Sequence, residues 1–238
     1  MRIKADLHAH SCLSPCGDLR MSPLALARAA SEAGLQMIAL TDHNTALNIP
    51  AFAHACERVG VYPVFGVEVT SSEEAHVLAL FADPATAVDF GTTVYASLPD
   101  VAFDPESYGD QVVVDEEEMI VSELSKYLIG ASSLSMAELG AMIHRAGGLY
   151  IPAHIDRASF SVWSQLGFLP PDRYDAVEIV GRSDRIAFDG FTAITSSDAH
   201  EPEQVAQRYI SFDAERAGFE ELHEAIRAGR VELHGLTE

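Results

Sequence analysis

The chain has 238 residues and a hydrophobic content of 48%, enough to bury the core of one domain of ordinary size carrying a modest insertion. Its formal charge of −21 at pH 7 argues against a long nucleic acid as partner and leaves divalent cations as a natural counter-charge. The start "MRIKADLH" has no signal-peptide pattern, no apolar run is long enough to span a bilayer, and the three cysteines, Cys12, Cys16 and Cys56, are an odd number; these features argue against a membrane-spanning or disulfide-stapled protein, and a cytoplasmic one is expected.

Apolar, β-branched runs alternate with helical patterns, the signature of βα units around a parallel sheet. The first strand is predicted over residues 3–8 and leads into "ADLHAHSCLSPCGD", where Asp6, His8 and His10 fall on one face of an extended chain. "SPLALARAASEAGL" follows as a helix with Ser22 as N-cap, Pro23 at its first position and Gly34 as its stop. A second strand over 37–41 ends in "LTDHN", with Asp42 and His43, and "IPAFAHACERVG" repeats the helix design with Pro50 and Gly60. The third strand, 62–69, carries Glu68 near its end, and the fourth, 76–81, begins at His76.

From about 83 to 134 the rhythm breaks. "FDPESYGDQVVVDEEE" and the apolar-periodic "MIVSELSKYLIGA" read as an insertion between strands four and five, a loop or hairpin followed by a helix, with Asp115 to Glu118 a solvated face or helix start. Because this connection leaves the carboxyl end of a strand, its part from about 88 to 121 is expected to begin on the catalytic face and partly cover it. "SMAELGAMIHRAGG", with Ser135 and Glu138 at capping-box spacing, then leads to a fifth strand over 149–153 that ends in "IPAHIDR". A sixth strand spans 176–180, a seventh over 193–196 ends in "TSSDAH", a further candidate strand covers 209–212, and "GFEELHEAIRAG" supplies a closing helix. Seven or more strands in this alternation favour a barrel over an open sheet, and no glycine-rich phosphate loop follows any of them.

The polar residues collect at the strand ends. His8, His10, His43, His154 and His200, with Glu68 and Asp198, fall at carboxyl ends, and His76 stands at a strand start; the C-terminal face of a βα barrel is where groups from separate strands meet. A lone histidine in such a place is ordinarily a hydrogen-bonded structural residue. Six of them with two carboxylates would leave several uncompensated polar groups unless a cation joined them. His54, His144 and His223 lie in helical patterns and His234 in the C-terminal tail, where packing or solvent explains them.

The order "DLHAHS", "TDHN", "GVEV", "HVLALF", "PAHIDR" and "SSDAH" resembles the PHP superfamily, named for polymerase and histidinol phosphatase, over nearly the whole chain. "CLSPCGDLRMSP" and "PAHIDRASFSVWSQLGF" are further similar to a subgroup of small, stand-alone members. The resemblance implies an α/β fold, a distorted (β/α)7 TIM-like barrel filling residues 1–238, and a cluster of two or three divalent metals, zinc, manganese or iron. It assigns His8, His10, Glu68 and Asp198 to one metal, His43 and His200 to a second, and Glu68, His76 and His154 to a third. Where the family usually has an aspartate or histidine five or six residues after its first HxH, this chain has Pro15 and Cys16. A Cys16 thiolate, Asp18 or a water could complete the second site, and a thiolate would favour zinc or iron.

The implied activity is metal-dependent hydrolysis of a small phosphorylated substrate, a phosphomonoester or nucleotide, by a metal-bridging hydroxide. Arg157, just after His154, is the candidate for binding the phosphate and stabilising its developing charge. Arg182 and Arg185 in "GRSDR" are secondary substrate candidates beside the alternative of surface charge pairs, and Asp42, and similarly Asp6, would orient a histidine. Three other readings stand beside this one: a nuclease acting on short oligonucleotides, an amidohydrolase, and a non-catalytic metal-binding module that regulates a partner. The common amidohydrolase form bridges its metals with a carboxylated lysine on the fourth strand, and Lys4 and Lys126 are not so placed.

Overall fold

In a computed structural model of the protein, residues 1–101, 103–181, 188 and 190–236 are described. Arg182 and Arg185 lie outside them. The elements, in order, are β1 (Arg2–Asp6), α1 (Pro23–Glu32), β2 (Met37–Leu40), α2 (Ile49–Val59), β3 (Tyr62–Thr70), β4 (His76–Phe81), α3 (Pro84–Ser97), α4 (Pro105–Tyr108), β5 (Val112–Val114), β6 (Ile120–Glu123), α5 (Met136–Arg145), β7 (Leu149–Pro152), α6 (Val162–Leu166), β8 (Val177–Glu178), β9 (Ala193–Ile194), β10 (Tyr209–Asp213), α7 (Phe219–Arg227) and β11 (Glu232–His234).

A curled sheet runs β11-β10-β1-β2-β3-β4-β7, and β8 pairs with β9 separately. Two sets of bonds join the pair to the sheet's two sides. Asp175 N–H donates to Tyr150 C=O and Ile155 N–H to Glu178 C=O beside β7, while His10 N–H donates to Ala199 C=O and Asp198 N–H to His8 C=O beside the extension of β1. The result is a distorted barrel of β1, β2, β3, β4, β7, β8 and β9. Alternate residues along the strands feed two cores. Ile38, Leu40, Val67 and Val77 pack with residues of α1, α2, α3 and α5, and Ala5, Met37, Val64, Leu80 and Ile151 pack with Phe219, Leu222 and Ile226 of α7.

The expectation of a uniformly parallel sheet is corrected at β4. β1, β2 and β3 are parallel, but β4 runs antiparallel to both β3 and β7. Only residues 71–75 separate β3 from β4, too few for a crossover helix and enough for a hairpin. This reversal places His76, at the start of β4, level with the ends of the other strands: Thr70 is its register partner.

The insertion also differs from expectation. Its first part is an ordinary barrel helix, α3, capped by the Asp83 carboxylate, which accepts from Thr86 N–H at 2.8 Å, and Ala87, Phe90 and Val94 of α3 join the outer core. Because β4 is reversed, the chain leaves it at the far end and α3 returns it. Residues 98–134 therefore reach the strand-end face after a helix, with no direct exit from β4. There the Asn44 side chain donates to Leu128 and Gly130 C=O, and Ser132 N–H donates to Thr70 C=O. The helix expected over "MIVSELSKYLIGA" is instead β6 and an irregular stretch. Ile120 and neighbours pair with Val112–Val114 of β5, and buried Gln111 takes over backbone partners a helix would have used, bonding Leu124 and Lys126 C=O and Leu128 N–H. Within the acidic run, Glu118 accepts from Leu24 N–H at 2.7 Å and Ser22 Oγ at 2.8 Å, capping α1.

Candidate metal centre

Each expected metal ligand is brought to the strand-end pocket. His8 and His10 follow β1, His43 follows β2, Glu68 lies near the end of β3, His76 opens β4, His154 follows β7, and Asp198 and His200 follow β9. His8, His10, His43, Glu68, His76, His154 and Asp198 are buried, and His200 is half-buried. The backbone is strained where it delivers them: Asn44, His154 and Asp198 have φ of 53°, 28° and 53°, conformations unfavourable to residues with a Cβ and concentrated in proteins at functional sites.

His8 Nε2 and His10 Nε2 lie 3.2 Å apart. Each is within 3.1–3.3 Å of both Glu68 Oε2 and Asp198 Oδ1. The ligand atoms of these four residues all lie within 4.8 Å of one another, close enough for a single ion at the ~2.0–2.2 Å bond lengths of zinc to nitrogen and oxygen. Glu68 is the hub of the cluster. Its Oε2 also lies 3.2 Å from His43 Nδ1, and its Oε1 lies 2.8 Å from His76 Nδ1 and 3.0 Å from His154 Nε2. Cys16 joins His10, His43 and His200 in a further group whose ligand atoms are all within 4.8 Å of one another, as are those of His43, Glu68 and His76. Asp18 is turned away, its carboxylate bonded to Arg20 at 3.2 Å.

The donor set fits a cation on another count. His43 Nδ1, 3.2 Å from Glu68 Oε2, is buried without a hydrogen-bond partner among the described residues, a state that costs free energy unless something binds that nitrogen; His76 Nε2 and His154 Nδ1 are likewise unpartnered, but it is the other nitrogen of each ring that faces Glu68. Charge is unevenly settled among the groups. Burial opposes the charged form of Glu68, yet His76, His8 and His43 hold its carboxyl well below the usual range. Burial likewise opposes protonation of His10, but its bonds to Asp198 and Glu68 raise it to about 9. Burial and the neighbouring His10 push His200 down to about 4, and burial pushes His43 well below an ordinary imidazole. Cys16 is exposed, but the loss of water around its thiol and the Glu68 and Asp198 carboxylates push that thiol up, so it needs a cation to become a thiolate ligand.

A second layer orients the ligands. The fully buried Glu178 accepts from His8 Nδ1–H at 3.0 Å and from His154 N–H at 3.0 Å, which turns His8 Nε2 toward the cluster. Ser14 Oγ, donating to Asp42 at 2.7 Å, accepts from His10 Nδ1–H at 3.0 Å. Asp42 therefore acts one step removed, through Ser14, and touches no ligand atom. Asp6 holds no histidine either: its oxygens accept from Ser197 and Ala206 N–H at 2.9 and 3.0 Å, tethering the loop that carries Asp198. Sequence reasoning missed Glu178 and Ser14. The only signal for Glu178 was a lone acid inside the apolar strand "AVEIV".

Arg157 stands at the pocket's edge, its side chain 40% exposed and Nη1 2.6 Å from Asp198 Oδ2. Neither lysine joins a ligand group: Lys126 Nζ donates to Leu98 C=O at 3.1 Å and Lys4 lies over the Tyr209 ring. Among the described residues no helix is long and apolar enough to cross a membrane.

Fold and site together define an α/β barrel with a strand-end cluster of His, Glu and Asp that could hold metal ions, an arrangement shared by many metal-dependent hydrolases. The chain belongs to the PHP domain family of metal-dependent phosphoesterases, whose domain model matches residues 6–225. It is similar to the lesion-specific endonuclease PfuEndoQ from Pyrococcus furiosus, with a TM-score of 0.73 and 19% identity over 98% of this chain and 58% of that one. A putative metal-dependent phosphoesterase from Bifidobacterium adolescentis, covered over 96% of both chains, gives a TM-score of 0.59 at 19% identity. A 5'-3' exoribonuclease of Haemophilus influenzae is 35% identical over 83 residues, 34% of this chain and 29% of that protein. The chain thus spans well under two thirds of the endonuclease and of the exoribonuclease.

Proposed function

We propose that the chain is a phosphoesterase that holds two or three divalent cations, zinc, manganese or iron, and hydrolyses a small phosphorylated substrate such as a phosphomonoester or nucleotide. The observation that carries this proposal is the buried cluster in which five imidazoles, those of His8, His10, His43, His76 and His154, each place a ring nitrogen within 3.3 Å of a Glu68 oxygen. His8, His10, Glu68 and Asp198 would hold one ion, His43 and His200 with Cys16 a second, and Glu68, His76 and His154 a third. Ions bound there would supply hydroxide at neutral pH and neutralise phosphate charge. Glu178 and the Ser14–Asp42 relay keep the imidazoles aimed. Arg157 binds the phosphate: one Nη is engaged by Asp198, and the exposed remainder of the guanidinium is free to donate to phosphoryl oxygens as their charge grows. Arg182 and Arg185 are proposed only as further substrate contacts. Three unpaired cysteines support a reducing, cytoplasmic setting.

A second reading, cleavage of phosphodiesters in oligonucleotides, is favoured by the likeness to a DNA endonuclease along almost the whole chain. The charge of −21 weighs against long nucleic acids. A panel of phosphomonoesters, nucleotides and short oligonucleotides, offered to metal-reconstituted protein, tests both. Chelator-sensitive hydrolysis of monoesters is expected, and oligonucleotide cleavage with intact monoesters would favour the second reading. Arg157→Ala should lower kcat/KM about a hundredfold at unchanged metal content. Loss of metal in that variant would instead make Arg157 a support for Asp198.

A further inference from the structure

One turn of chain after β7 carries three features side by side. His154 reaches Glu68, Arg157 pairs with Asp198 at the pocket edge, and Phe160 lays its ring parallel to that of His76, centroids 5.0 Å apart and planes at 16°. The turn is fixed: Arg157 N–H donates to His154 C=O at 2.9 Å, Ser161 Oγ donates to Arg157 C=O at 2.7 Å, and His76 N–H donates to Phe160 C=O at 2.9 Å.

Phe160 is an odd residue to find there. Its φ is 54°, a region costly for a bulky side chain and cheap for glycine or asparagine. It is also 40% exposed, so burial in the core does not account for the ring. The backbone keeps a large flat apolar surface in an unfavourable conformation, three residues from the guanidinium proposed to hold the phosphate.

Building on the phosphoesterase proposal, we propose that Phe160 is a specificity-determining residue whose open surface stacks on the base of a nucleotide substrate. An aromatic face accepts any base and gains about tenfold to a hundredfold in affinity per stacked base. A glycerol or sugar phosphate offers no planar group and would gain little.

The test compares adenosine 5'-monophosphate with glycerol 3-phosphate on the metal-reconstituted full chain, using wild type, Phe160→Leu and Phe160→Tyr. Metal content is measured alongside, as is calorimetric binding of inorganic phosphate and the nucleotide. The expected result is a kcat/KM ratio favouring the nucleotide that falls about tenfold or more in Phe160→Leu and is restored by Phe160→Tyr. Equal ratios in all three proteins would overturn the proposal. A parallel loss of both activities with loss of metal would also overturn it, making Phe160 a shield for His76. A wild-type protein that binds metal but neither binds nor turns over either phosphate would instead sink the phosphoesterase proposal itself.

Discussion

The histidines divide between two regions with opposite physics. Those at the strand ends, buried except for half-buried His200, gather around Glu68 and Asp198, and three of them keep a ring nitrogen with no hydrogen-bond partner among the described residues. Among those of the outer shell, His144 and His234 find simple partners with solvent at hand: His144 bonds Asp175 at 2.9 Å with its side chain 35% exposed, and His234 bonds Ser211 and stacks on Tyr209. A buried carboxylate shared among several imidazoles, rather than histidine itself, is what marks the proposed metal centre.

If that contrast is sound, the largest effect belongs to Glu68, the group the strand-end imidazoles share. Glu68→Gln should lower turnover at least about a thousandfold and strip metal, because neutralising the hub leaves cationic and unpaired groups facing one another. A folded Glu68→Gln protein with normal metal content would break the comparison. Glu178→Gln comes next, since it loosens His8 without removing a ligand. Metal affinity should fall about tenfold to a hundredfold in a competition titration, and an unchanged affinity would remove Glu178 from the site.

Proton linkage gives a smaller and more diagnostic signal. In metal-free protein His10, raised to about 9 by Asp198 and Glu68 against the pull of burial, is protonated at pH 7.5. Metal uptake must expel that proton, so calorimetric heats at pH 7.5 should vary with the ionisation enthalpy of the buffer. The same shift makes His10 a stabiliser of the metal-free fold that is fully present below about pH 6.5 and lost as pH rises through about 9. Heats independent of buffer would place no proton on the metal-free cluster. The smallest effect is expected outside the pocket: His144→Ala should cost under about 1 kcal/mol in denaturant unfolding, and a loss several times larger would show that the outer histidines are structural in the same sense as the inner ones.

The strands were legible as residue runs because their apolar patterns are local, and β1, β2, β3, β4, β7, β8 and β9 lie on the stretches expected to form them. Strand direction was not legible, since periodicity is the same read either way. β4 therefore passed for a parallel strand and His76 for a residue at the wrong end, although the short link from Thr70 to His76 already required a hairpin. His8, His10, His43, Asp198 and His200 stood out because they sit in short motifs, HxH, DH and DxH. Glu178 did not, because its partner His8 is 170 residues away and an acid in a strand carries no mark of what it faces. The hairpin of β5 and β6 was hidden for a related reason: "MIVSELSKYLIGA" has helical spacing, and pairing with Val112–Val114 together with the side chain of Gln111 overrides it.

Elemental analysis of wild type and Glu68→Gln, each purified without added metal and then reconstituted in turn with zinc, manganese and iron, tests the metal centre most directly. Wild type should retain more than one equivalent of transition metal per chain and the variant markedly less. Wild-type protein that is folded yet retains no metal from any of the three would contradict the assignment of the strand-end cluster as a metal centre.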